Sequence, residues 1–302
     1  MMNDNPDAPV CYRHPRKETH VTCARCGRPI CPDCMKQASV GWQCPDCVSQ
    51  GNKSVRSART ALGGRGGHSG VVTKTLIGIN VAVFVIGLIM SGANLAGYLF
   101  GGQSFLHQMG ALWAPGLAFG NQYYRLVTSM FLHYGILHLA FNMYILWIIG
   151  RYLERELGPG RYLALYLASG LGGGVITYLF ADIGAGADLN NYVATAGASG
   201  CIFGLFGAMV FINQKLGRDN SGVYVLLGLN LVLTFVVSNI SWTGHLGGLI
   251  TGGLLGYVLA HSPRDKRMPI QIGAFVAIAV IFAAATLFRT TQLHEMFLGS
   301  MV

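Results

Sequence analysis

The chain has 302 residues, 52% of them hydrophobic and 11% charged, with 42 glycines and a formal net charge of +9. So apolar a composition excludes an ordinary water-soluble domain and points to an all-α polytopic membrane protein. The positive charge is what a membrane protein acquires by keeping Lys and Arg on its cytoplasmic side, so it calls for no nucleic-acid partner and makes the lipid bilayer the principal surroundings.

Residues 1–50 read as a separate, cytoplasmic unit. Cys11 and His14, Cys23 and Cys26, Cys31 and Cys34, and Cys44 and Cys47 form four two-ligand knuckles in a polar stretch too short for an apolar core. Eight soft donors match two tetrahedral structural zinc ions, and a cytosolic setting disfavours disulfides. The order of the knuckles suggests interleaving, with Cys11, His14, Cys31 and Cys34 on one ion and Cys23, Cys26, Cys44 and Cys47 on the other. Sequential pairing satisfies the same count. His20 is a spare ligand candidate that reads better as a surface residue. The stretch resembles a B-box-type zinc finger, and the resemblance implies a module that binds a cytoplasmic protein partner. Residues 51–70, rich in Gly, Ser and Arg, form a flexible basic linker. No short apolar stretch with a cleavage site precedes the first apolar run, so no removable signal peptide is expected.

Seven apolar runs follow, near 71–92, 133–150, 162–181, 193–212, 222–237, 240–260 and 269–288, each long enough to cross or nearly cross a bilayer as a helix. Eleven of the 21 basic residues lie before Leu76, and Arg151, Arg155, Arg161, Lys215, Arg218, Arg264, Lys266 and Arg267 flank the even-numbered helix ends. Only Arg125 and Arg289 fall on the other side. The N-terminus is therefore expected in the cytoplasm and the C-terminus outside, in a bacterial cell membrane.

Polar residues recur at one depth. His138 in the second run, Ser199 in the fourth and His245 in the sixth each lie about five or six residues inward of the outer end of the run, roughly 5–10 Å below the surface. Asn142 shares a helical face with His138. Intramembrane polar groups of this kind either bond helices together or mark a functional site. Glycine rows at Gly200, Gly204 and Gly207 and at Gly248, Gly252 and Gly256 let two helix backbones approach closely, which brings Ser199 and His245 within reach of a Ser–His hydrogen bond. None of the 12 acidic residues falls inside an apolar run; Asp182, Asp188, Asp219 and Asp265 sit at ends or in loops. An aspartyl protease or acid-based proton relay is thereby excluded, and no Asp is placed to orient His245.

The segments "GASGCIFGLFGA" around Ser199, "GHLGGLITGG" around His245 and "HLAFN" from His138 to Asn142 resemble the signature segments of rhomboid intramembrane serine proteases. The likeness runs from about Thr73 to His261, and "YYR" ending at Arg125 is similar to the family's Trp-Arg loop motif with Tyr124 in place of Trp. It implies a six-helix rhomboid core at 71–262, followed by a seventh helix and tail at 263–302 as in the 6+1 variant. It implies Ser199 as nucleophile and His245 as general base. His138, Asn142 and the backbone N–H of Ser199 would hold the oxyanion, with Gly197, Phe203 and Gly248 supporting the site. Phe203 stands where the family often has a Tyr stacked on the catalytic His. His133 matches a position that helps hold water near the site, or is a plain interfacial histidine, and Cys201 reads as a small packing residue. The loop from Ser91 to Arg125 is expected partly in the outer leaflet. The implied activity is cleavage of single-pass transmembrane substrates near the outer face, with no cofactor for catalysis. An inactive rhomboid-like scaffold is the alternative, and a transporter a weaker one because the chain lacks intramembrane acids.

Overall fold

Two hairpins too short to enclose an apolar core make up most of the first unit. β1 (Val10–Cys11) pairs antiparallel with β2 (His14–Glu18), and β3 (Lys36–Gln37) with β4 (Trp42–Gln43), ahead of helix α1 (Pro45–Ser54). The buried hydrophobic cluster here, among the described residues, is Ile30 and six cysteines rather than a set of large apolar side chains. The computed structural model describes residues 8–54, 60–64, 70–92, 94–183, 194–236 and 240–299. It divides into Met1–Ala58 and Arg59–Val302. Much of the predicted linker, at 55–59 and 65–69, lies outside the described residues, as does Asp188.

The second unit is helical. Its main helices are α2 (Val71–Met90), α3 (Ile136–Leu157, with a π turn at Leu146–Gly150), α4 (Pro159–Leu179), α5 (Ser199–Lys215), α6 (Ser221–Val236), α7 (Trp242–His261) and α8 (Arg267–Gly299). One lies at each predicted apolar run. By length and composition alone, α2, α3, α4 and α8 can cross a membrane, and α6 is a shorter apolar helix. The glycine-rich α5 and α7 are largely buried among the others. The stretch between α2 and α3 carries short helices, including Phe105–Gly110, Ala114–Gly120 and Arg125–Thr128. Arg125 pins it: the buried guanidinium donates to the carbonyls of Gln108 and Ala111, both at 2.8 Å, and to Gln122 Oε1 at 2.5 Å.

Glycine sets the distance between α4, α5 and α7. A Cβ on Gly248 would lie 2.0 Å from the carbonyl oxygen of Gly200, one on Gly252 2.1 Å from that of Gly204, and one on Gly173 2.7 Å from that of Gly244. Backbones this close leave no room for any side chain, the condition under which small-residue rows pack helices.

Two sequence expectations need correction. The fourth helix begins at Ser199, not near 193. The preceding residues are held extended by backbone bonds between Thr195 and Leu112, 2.8 and 3.0 Å, and by Gly197 N–H donating to the Ser129 carbonyl at 2.9 Å. Gly197, at φ +145°, makes the turn into the helix. The second helix runs on to Leu157, so Glu154 and Glu156 are buried near its C-terminal end. Glu154 caps α2, accepting from the N–H groups of Val72 and Thr73 at 3.0 and 2.9 Å and from Thr73 Oγ1 at 2.8 Å. Glu156 accepts from Arg218 at 2.9 Å. Both carboxylates are thus engaged in structure, about 20 Å or more along the helix from His138. Glu154→Ala leaves three donors unpaired and is expected to cost about 2–3 kcal/mol, read as a lowered unfolding temperature in detergent.

Candidate functional site

Helix starts place the polar side chains. Ser199 is the first residue of α5, His138 the third of α3 and His245 the fourth of α7, so each occupies the first turn of its helix. Ser199 therefore stands at the positive end of a 17-residue helix, where unpaired N–H groups and the helix dipole favour developing negative charge. A Cβ on Gly197 would lie 2.9–3.0 Å from the His138 ring and 3.6 Å from Ser199 Oγ, so the two side chains border one small space that the missing side chain keeps open. Asn142 is buried, and its Nδ2 donates to the His138 carbonyl at 2.8 Å, leaving a second N–H on the same nitrogen.

His245 is held on two sides. Phe203, one turn along α5 from Ser199, stacks on it with ring centroids 4.0 Å apart and planes 12° from parallel. Its Nδ1 lies 2.7 Å from Thr234 Oγ1 of α6. The Thr234 hydroxyl donates its single proton to the Asn230 carbonyl at 2.8 Å, so it meets the imidazole as an acceptor. That places the proton on Nδ1 and leaves Nε2 with a lone pair. Among the described residues Ser199 Oγ has no hydrogen bond to His245; nucleophile–base contacts are commonly loose until substrate arrives.

Thr234 is the site residue that sequence reasoning missed. A signal existed: Asn230 and Thr234, four apart, are the polar residues of an otherwise apolar run and are buried on a helix whose other faces are largely exposed. His133 is fully buried, and its Nε2 accepts from Ala198 N–H at 3.5 Å, bracing the turn that precedes Ser199. Its ring meets that of His138 edge to face, with centroids 5.0 Å apart. Cys201 is fully buried against Gly170.

In the first unit, the ligand atoms of Cys11, His14, Cys31 and Cys34 lie within 4.8 Å of one another, as do those of Cys23, Cys26, Cys44 and Cys47. The clusters are interleaved: Tyr12 N–H donates to the Pro29 carbonyl at 3.1 Å, which sets the first knuckle beside the third, and Ala24 N–H donates to the Trp42 carbonyl at 2.8 Å, which sets the second beside the fourth. Burial pushes the Cys11 thiol up, but hydrogen bonds from the backbone N–H groups of Cys31 and Arg13 and from the His14 and Cys31 side chains together outweigh it and hold the thiol at about 6. Burial likewise pushes Cys23 up, and hydrogen bonds from the backbone N–H groups of Cys44, Arg25 and Cys26 and from the Cys26 side chain together outweigh it, to hold Cys23 at about 6. Cys34 and Cys47 are pushed up to about 11 and about 12, by burial and by the neighbouring thiols. Four donors so crowded ionise together only against a cation, which is the chemistry of a metal-binding set. His20 is in neither cluster.

These features define a multi-pass helical membrane protein with a serine and two histidines at the ends of closely packed helices, joined to a Cys/His-rich unit able to hold two metal ions. The sequence profile of the Rhomboid domain matches residues 120–262. Rhomboid protease GluP of Bacillus subtilis is 40% identical over 171 residues, which cover 54% of this chain and 31% of GluP. YdcA of the same organism is 37% identical over 157 residues, 50% of this chain and 74% of YdcA. RHOMBOID-like protein 6, mitochondrial, of Arabidopsis thaliana is 32% identical over 205 residues, 60% of this chain and 64% of that protein. The chain belongs to the rhomboid family.

Proposed function

We propose that this protein is an intramembrane serine endopeptidase that cuts single-pass transmembrane proteins near the outer membrane face. The observation that carries the reading is the placement of Ser199 at the head of α5, beside His138 and one turn from the Phe203 ring that seats His245. Ser199 Oγ attacks the scissile carbonyl while His245 Nε2 takes its proton. The backbone N–H of Ser199, the His138 ring and the free N–H of Asn142 receive the oxyanion, each good donor worth roughly 2.7–4 kcal/mol in the transition state. His245 then protonates the leaving amine. Water, deprotonated by His245, releases the acyl group from Ser199. A peptide bond has to leave its helix to reach Ser199, so the substrates are those whose helices are loosened by small residues at that depth.

Thr234 does part of what an Asp does in a triad. It accepts from Nδ1–H and so keeps Nε2 as the base, but as a neutral hydroxyl it stabilises the imidazolium less. Thr234→Val is expected to lower kcat about threefold to tenfold with KM unchanged, the worth of one ordinary hydrogen bond. Thr234→Ser should restore the rate; steady-state cleavage kinetics of the three forms check this.

In the first unit the eight ligands suit two zinc ions in tetrahedral sites, which would fold this small module around themselves and supply no catalytic chemistry. Arg28 donates to Cys26 Sγ at 3.3 Å and to Cys44 Sγ at 3.6 Å, the kind of outer contact that steadies thiolate ligands. The folded module presents a surface for a cytoplasmic protein partner. The class of activity is tested by labelling intact membranes with a serine-reactive fluorophosphonate. Labelling that disappears in Ser199→Ala supports a serine hydrolase, and labelling that persists there removes Ser199 from the role.

A further inference from the structure

At the end of α3 remote from His138, a groove of about 340 Å3 is lined by Trp147, Ile148, Arg151, Tyr152 and Arg155. The spacing puts 147, 151 and 155 on one stripe of the helix and 148 and 152 on the next. Both arginines are braced by rings. The Arg151 guanidinium carbon sits 4.5 Å over the Trp147 ring centroid, and that of Arg155 5.8 Å over Tyr152. A guanidinium lying on a ring face keeps its N–H edge available. Among the described residues Arg151 has no carboxylate within 4.0 Å, and the one near Arg155 is Glu156 at 3.9 Å, which Arg218 already engages at 2.9 Å.

The groove is continuous with apolar surface. Leu137, Phe141, Tyr144 and Ile148, spaced by three or four residues, are all exposed along the same helix. This row leads from the His138 end down to the arginines. A ligand that fits has an anionic group at one end and a long apolar tail at the other. Trp and Tyr at the level where hydrocarbon meets headgroups, with Arg just beyond, are the residues that meet a phospholipid there.

We propose that the groove is a binding site for an anionic phospholipid, whose phosphate is held by Arg151 and Arg155 between the Trp147 and Tyr152 rings and whose acyl chain lies along Leu137, Phe141 and Tyr144. The two guanidinium forks match phosphate oxygens in a way that ammonium groups do not. The site is independent of the chemistry at Ser199 and stands whether or not the chain is a protease.

Native mass spectrometry of the full-length chain in detergent, titrated with palmitoyl-oleoyl phosphatidylglycerol, counts retained lipid. The Arg151→Gln/Arg155→Gln variant should retain at least about fivefold less, since each basic residue near a headgroup contributes measurably. Arg264→Gln/Lys266→Gln removes the same charge elsewhere and should retain as much as the unaltered chain. Arg151→Lys, which keeps the charge and loses the fork, should fall between. Equal loss in both double variants would reduce the effect to net charge and overturn the site. Equal retention in all forms would overturn it too. Glycerol 3-phosphate added in excess should not displace the lipid; displacement would mean a pocket for free phosphate esters. Retention of palmitoyl-oleoyl phosphatidylcholine equal to that of phosphatidylglycerol would likewise refute recognition of an anionic headgroup.

Discussion

Ser199→Ala and His245→Ala are each expected to abolish cleavage of a single-span substrate, with a loss on the order of 10^4-fold or more, while the protein still accumulates in the membrane. A nucleophile and its base act as a unit, so removing either costs nearly as much as removing both. Folding should survive. Ser199 makes no capping hydrogen bond in α5, and its replacement removes one oxygen from a partly open position. At His245 the change takes a ring from between Phe203 and Thr234, but the contact between α5 and α7 rests on glycine backbones rather than on that ring. The measurement is cleavage in detergent by purified enzyme at matched concentration, with an unfolding curve for each variant. Cleavage retained by either variant would end the assignment of that residue.

A second large effect is expected at Asn142. Asn142→Ala should lower turnover about tenfold to a thousandfold while Ser199 still reacts with a fluorophosphonate, because an oxyanion donor stabilises the transition state without generating the nucleophile. The amide is buried and spends one N–H on the His138 carbonyl, so it is pre-set by its own helix and needs no rearrangement to donate the other. If Asn142 only helped pack α3, its loss would lower the unfolding temperature and leave the rate constant of correctly folded enzyme alone. Comparing single-turnover rates with thermal stability separates these outcomes. His138 borders the same space, and combining its removal with that of Asn142 should give less than the product of the separate losses if both serve one oxyanion.

Much of this architecture is local in origin and was legible in the residues. Apolar runs of membrane length have to become helices, because in hydrocarbon the backbone satisfies its own hydrogen bonds. Knuckles of two ligands three positions apart bring donors together whatever the rest of the chain does, so the capacity of the first unit to hold metal could be read directly. Ser199, His138, Asn142 and His245 stood out for a related reason: polar groups in an apolar run are costly and therefore conspicuous. The family resemblance, which the Rhomboid profile bears out over residues 120–262, rested on those same residues.

What remained hidden depended on distant partners. The sequence around Ser199 is apolar enough to suggest a helix from 193, and only the pairing of Thr195 with Leu112, 83 positions away by number, keeps the approach extended and makes Ser199 the first residue of α5. Glu154 lies beyond the apolar run at 133–150, and its role as the cap of α2 exists because the two helix ends meet across 81 residues. The choice between interleaved and sequential ligand sets was likewise open until backbone bonds joined Tyr12 to Pro29 and Ala24 to Trp42. Thr234 was one hydroxyl in an apolar run until α6 and α7 packed and set it 2.7 Å from His245. Composition and periodicity thus determined which segments are helical, which residues are the costly polar ones and which cysteines and histidine can bind metal. Helix starts, caps and the partner of each polar group were decided by tertiary contacts, because a hydrogen bond is satisfied by whatever group is nearest in space, and nearness in space is not written in sequence separation.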